Sequence, residues 1–120
     1  MAMNSPRLIS SRFPYLPIHL EVRRGIHDLE ALLDTGFDGD VALPPELIIN
    51  GEPADGHQRW KLADGSTVLA PYYVGTAHLG NTEVAGILVT AIGDEPIIGR
   101  AIIMEFNVIL DHGQRVIVEP

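Results

Sequence analysis

Ala31-Leu32-Leu33-Asp34-Thr35-Gly36-Phe37-Asp38-Gly39 is an apolar run that delivers a carboxylate, a hydroxyl and a glycine, then a second Asp-Gly. The apolar residues before Asp34 imply a buried strand. A carboxylate at the end of a buried strand is costly to ionise. Such a group is kept for chemistry, for a metal or for a structural hydrogen bond.

The chain on either side supplies strands. Upstream, Pro14 and Pro17 forbid helix, and Leu16, Ile18, Leu20 and Val22 alternate onto one face. A turn at Arg23-Arg24-Gly25 and a second strand from Asp28 to Leu33 make this a hairpin that ends in Asp34. Downstream, Val41-Ala42-Leu43 is a short strand halted by Pro44-Pro45, with one helical turn starting at Pro45. Residues 57–74 read as a long hairpin, with Arg59 to Leu62 rising and Thr67 to Leu69 falling. Its tip is Ala63-Asp64-Gly65-Ser66, where Asp-Gly is a strong hairpin signal. Tyr72 to Leu79 and Thr82 to Ala91 form another hairpin around Gly80-Asn81, and Val108 to Leu110 with Arg115 to Val118 form the last. Between them Ala101-Ile102-Ile103-Met104-Glu105-Phe106 is apolar nearly all round, which suits one buried helix of two turns closed by Asn107. Met1 to Arg12 is polar and reads as a flexible N-terminal arm, leaving 13–120 as one domain. The expectation is an all-β domain with one short helix.

Composition narrows the function. A chain of 120 residues is one domain, too small for two lobes with a cleft between them. Eight Lys and Arg against 16 Asp and Glu give a formal net charge of −8, which argues against a nucleic-acid or anionic-membrane partner. The absence of cysteine excludes disulfides, thiolate metal sites and a Cys nucleophile. No segment approaches the ~18 apolar residues of a membrane span. Met1 to Arg12 lacks the apolar core of a signal peptide, so a cytoplasmic location is expected.

Leu32-Leu33-Asp34-Thr35-Gly36, followed some sixty residues later by Ile97-Ile98-Gly99-Arg100, resembles the retroviral-type, or retropepsin-like, aspartic proteases. The order of elements matches as well: Asp-Thr-Gly after the second strand, a hairpin mid-chain, then apolar-apolar-Gly-Arg opening a helix near the C-terminus. Phe37-Asp38-Gly39 and Leu43-Pro44 are similar to single-domain bacterial members of that clan. The resemblance spans about Pro14 to Val118.

The resemblance implies a closed acid-protease β-barrel with one short C-terminal helix, forming half of a dimeric enzyme. The implied activity is aspartic endopeptidase, without cofactor or metal, whose partners are a second copy of the chain and a peptide or protein substrate. Hydrolysis by this route needs two carboxylates about 3 Å apart that share one proton. One Asp-Thr-Gly is therefore half a site, and a two-fold axis would place Asp34 beside its symmetry mate. By the same resemblance, Thr35 would reach across the axis to hold the two loops in register, and Gly36 would allow close approach to a substrate carbonyl. Asp38 would pair with Arg100, Ile97 and Ile98 would pack under the loop, and Gly99 would let the helix start pass close by. Ala63, Asp64, Gly65 and Ser66 would be the tip of a flap that closes over the peptide. That tip is charged and carries one glycine, unlike the glycine-rich apolar viral flaps. Phe37 stands where the family carries a small residue, which implies a filled or reshaped subsite.

Simpler readings stand beside these. Asp34 read alone is a turn carboxylate capping a loop, and Asp38 with Arg100 is a structural ion pair. Asp40 and Asp64 read as solvated turn residues, and Trp60 as a packing residue. A calcium loop over Asp34, Asp38 and Asp40 fails, because Gly36 and Pro45 stand where oxygen ligands are needed. His19, His27, His57, His78 and His112 are scattered without metal-ligand spacing. A second function class is a retropepsin-like domain without catalysis, serving as a dimeric peptide-binding or assembly module.

Overall fold

Leu16, Ile18, Leu20 and Val22 lie buried on one face of their strand, as the alternation predicts. The computed structural model describes residues 7–23, 25–48 and 53–120. Its strands in chain order are β1 (Leu8–Ser10), β2 (Tyr15–Val22), β3 (Gly25–Leu33), β4 (Val41–Leu43), β5 (Gly56–Lys61), β6 (Thr67–Leu79), β7 (Thr82–Ala91), β8 (Ile97–Ile98), β9 (Asn107–Asp111) and β10 (Arg115–Glu119). A 3₁₀ turn covers Pro45–Leu47, and one helix, α1, covers Arg100–Ile103.

Six of these strands close on themselves. β2 pairs antiparallel with β3, and the end of β3 runs parallel to β8 through Leu32 with Ile97 and Leu33 with Ile98. β8 pairs with β4, β4 with β7, and β7 with β6. β6 then returns to β2, from His19 opposite His78 to Val22 opposite Gly75. Closure leaves the barrel without a free edge, and Leu16, Leu20, Val41, Leu43, Val89, Ile98 and Ile102 fill it. β5 stands outside. It pairs with the first half of β6, from Gly56 opposite Tyr72 to Lys61 opposite Thr67, so this hairpin extends beyond the barrel strands, with Ala63 to Ser66 at its tip.

The three remaining strands form a second sheet in the order β1-β10-β9. Leu8–Ser10 falls within the expected flexible arm, but these residues pair with Val118, Ile117 and Val116. The Ser10 hydroxyl also donates to the Tyr15 carbonyl at 2.6 Å, tying the arm to the start of β2. Residues 1–6 of the arm lie outside the described residues. Both edges of β10 are filled by its own chain, leaving β1 and β9 as the outer strands.

Two further differences have local causes. β3 begins at Gly25 rather than Asp28, because pairing with β2 extends to the turn. The helix has one turn rather than two: the Glu105 and Phe106 N–H groups bond three residues back, to Ile102 and Ile103, and Asn107 already pairs with Glu119. Only Ile102 of α1 is buried, and Met104 is 75% exposed, so the apolar segment is not enclosed by its own chain.

Candidate active site

The structure brings the two sequence motifs together edge to edge. Asp34 follows the last residue of β3, where its backbone N–H donates to the Ile98 carbonyl at 3.0 Å. The loop that follows turns tightly, with Phe37 N–H on the Asp34 carbonyl at 3.2 Å, and is then held from the far side. Gly99 N–H donates to Asp40, Arg100 N–H to Phe37 and Ala101 N–H to Gly39, at 2.7, 2.8 and 3.2 Å. A Cβ on Gly99 would collide with the Gly39 carbonyl and lie 2.6 Å from Phe37 Cδ2, so only glycine fits this crossing. The Arg100 guanidinium donates to the Asp38 carboxylate across the same junction. With Arg100 half exposed and Asp38 more so, the pair is a surface one.

The Asp34 side chain is half-buried, while Thr35 and Gly36 are exposed on the single chain. Gly36 N–H donates to Asp34 Oδ1 at 2.8 Å, which fixes the carboxylate plane. A hollow of about 230 Å³ opens beside it, lined by Asp34, Gly36, Phe37 and Ala42 below and by Trp60, Lys61, Leu62 and Ala63 of the flap above. Of the four expected tip residues, Ala63 faces this hollow; Asp64, Gly65 and Ser66 do not line it. The tip is a closed polar turn in which Ser66 N–H and Ser66 Oγ both donate to Asp64 Oδ1, at 2.8 and 2.6 Å. These bonds, the hydroxyl first, hold the Asp64 carboxyl below the usual carboxylate range. Among the described residues no group of three or more His, Asp or Glu side chains could hold a metal ion.

Two contacts were not legible in the sequence. Asp40 is not a solvated turn residue: its Oδ2 accepts the Leu88 N–H at 2.8 Å, which ties the loop to β7. Phe37 and Trp60 stack with ring centroids 4.9 Å apart and an interplanar angle of 36°, joining the loop to the flap strand. The unusual Phe37 after Asp-Thr-Gly was the one signal for the second contact, and nothing local marked the first.

A crystal structure of a retropepsin-like aspartic protease from Rickettsia conorii matches this chain with a TM-score of 0.65, over 98% of this chain and 94% of that one. The chain has the retropepsin-like fold. The two sequences are 17% identical, so the likeness is one of architecture. No family model and no curated protein matches the sequence. No helix among the described residues is long and apolar enough to cross a membrane.

Proposed function

We propose that the chain is an aspartic endopeptidase that acts as a homodimer, each copy giving one Asp34 to a dyad that activates water. The observation that carries the reading is Asp34 itself. It is a half-buried carboxylate on a loop fixed by backbone bonds to Ile98, Gly99, Arg100 and Ala101, beneath a hairpin that covers an apolar hollow. Gly36 occupies Oδ1, and among the described residues Oδ2 has no hydrogen bond. In the dyad one carboxylate is ionised and takes a proton from the bridging water, while the other is protonated and polarises the scissile carbonyl. The water oxygen then attacks the carbonyl carbon, and the leaving amine is protonated from the dyad. In this reading Thr35, exposed beside Asp34, bonds the other copy's loop, and the Asp38–Arg100 pair braces the loop. The flap excludes bulk water and strengthens these charge interactions.

An apolar row supports the dimer. Ile9, Ile117 and Ile109 are in register across β1, β10 and β9, and Ile9 and Ile109 are exposed, as is Met104. Covering such a row is what a second copy would do.

Asp34→Asn is expected to abolish cleavage of a peptide library without changing the sedimentation of the dimer. Full activity in that variant sinks the mechanism. The second reading, a catalytically inactive peptide-binding module, draws on the closed polar tip at Asp64 and Ser66. Pepstatin separates the two: a working dyad binds it at acidic pH, and a module without one is indifferent.

A further inference from the structure

We propose that His19 and His78 form a two-histidine site for a divalent transition metal ion, Zn²⁺ above all, across the β2–β6 seam that closes the barrel. The proposal does not depend on the reading of Asp34, and none of its residues lines the hollow beside that carboxylate.

The two histidines are far apart in the chain, and the pairing of β2 with β6 puts them directly opposite each other. Their neighbours Leu20 and Ala77 are fully buried in the barrel, so the alternation of a strand turns both imidazoles to its outer face. The row continues on either side. Asp28 of β3 stands opposite His19, and Glu83 of β7 stands opposite His78. Glu21, two positions along β2 from His19, shares the same face. Four strands thus present two imidazoles flanked by three carboxylates.

Each ring is held through one of its nitrogens. His19 Nδ1 lies 2.7 Å from Asp28 Oδ1, and His78 Nε2 lies 2.8 Å from Glu21 Oε2. An ionised carboxylate only accepts, so in each neutral ring the bonded nitrogen carries the proton. The lone pairs are left on His19 Nε2 and His78 Nδ1, the form in which imidazole ligates a metal. A carboxylate on the far nitrogen is the usual companion of a metal-binding histidine, because it fixes the tautomer and raises the basicity of the ligating nitrogen.

The spacing fits as well. The ring centroids are 5.3 Å apart. Two imidazoles on one tetrahedral ion, with Zn–N bonds of about 2.0–2.1 Å, have ring centres about 5 Å apart. An open hollow of about 470 Å³ beside the pair, walled by Leu8, Ile18, Leu29 and Gly80, leaves space for the waters that complete the coordination. An edge-to-face contact between two surface histidines would account for the distance alone, but not for a separate carboxylate on each ring. Imidazole donors select Zn²⁺, Cu²⁺ or Ni²⁺ over Mg²⁺, which prefers oxygen.

Calorimetry of the full chain with Zn²⁺ is expected to saturate at one ion per chain. The melting point should rise with it, since an ion held between β2 and β6 binds the folded state alone. Asp28→Asn, which removes a positioning group and no ligand, is expected to weaken binding about 10–100-fold, and His19→Gln or His78→Gln by more. Both histidines face outward, so these replacements leave the packed core as it is. Mg²⁺ in place of Zn²⁺ should give no saturable heat. Absence of saturable Zn²⁺ binding overturns the site, as does binding unchanged in both histidine variants, or Mg²⁺ bound as tightly as Zn²⁺.

Discussion

Gly99 sits against Gly39 so closely that any side chain at 99 would overlap the Gly39 carbonyl, and this contact locks the Asp34 loop to the segment that starts α1. The loop that carries the carboxylate is thus held by backbone groups from a segment some sixty residues away, while the local Gly36 N–H sets the carboxylate plane. Fixing a reactive group on rigid neighbours is what general acid–base chemistry requires, because small displacements of the carboxylate are costly in rate.

Gly99→Ala is accordingly expected to destabilise the chain by about 1–3 kcal/mol or more, the usual cost of forcing atoms into a filled space. Thermal unfolding should show a melting point lower by several degrees, together with a fall in any peptidase activity. An unchanged melting point would show that the crossing is looser than described.

Asp40 and Asp38 are two residues apart yet should respond differently to alanine. Asp40→Ala strands the Leu88 N–H on β7, with an expected cost of about 1–3 kcal/mol for an unsatisfied donor in a partly buried site. Asp38→Ala removes an exposed ion pair with Arg100, expected at about 0–1 kcal/mol. Urea unfolding of the two variants gives the comparison, and the reverse order would contradict the assignment.

The flap tip should keep its turn in mild acid. Asp64 has a lowered folded-state value because its ionised form accepts two bonds from Ser66. Its contribution is therefore complete above the ordinary aspartate value of about 3.9 and is lost only as pH falls through the lower folded value. The Ser66 amide shift, followed by NMR against pH, should titrate with a midpoint below that ordinary value. A midpoint at or above it would mean that the Asp64–Ser66 bonds are not formed in solution.

Replacing Ile9 and Ile109, the exposed members of the apolar row, by charge should separate the copies. Ile9→Asp with Ile109→Asp is expected to shift sedimentation from dimer to monomer and to remove peptidase activity, with the far-ultraviolet spectrum of the barrel retained. A dimer that survives both changes places the two-fold contact elsewhere.

Much of the architecture was legible because its signals are local. The alternation through β2, the Asp-Gly at the flap tip and the paired motifs at Asp34 and Gly99 each lie within a few consecutive residues. Other features depend on distant partners. β8 is two residues long, too short for any period, and exists because β3 and β4 flank it. β1 is a strand because β10 offers it an edge. The length of α1 is also set from a distance, since an apolar run does not register that β9 must begin at Asn107. Within the site, Asp40 reads locally as a turn residue, whereas its donor is the N–H of Leu88, 48 positions on.

The central claim is that one Asp34 from each of two copies makes a single site, and mixing the unaltered chain with Asp34→Asn tests it most directly. After subunit exchange at constant total protein, activity should fall as the square of the unaltered fraction, because every mixed dimer lacks one carboxylate. A linear fall would mean that each chain works alone, and would contradict the shared dyad.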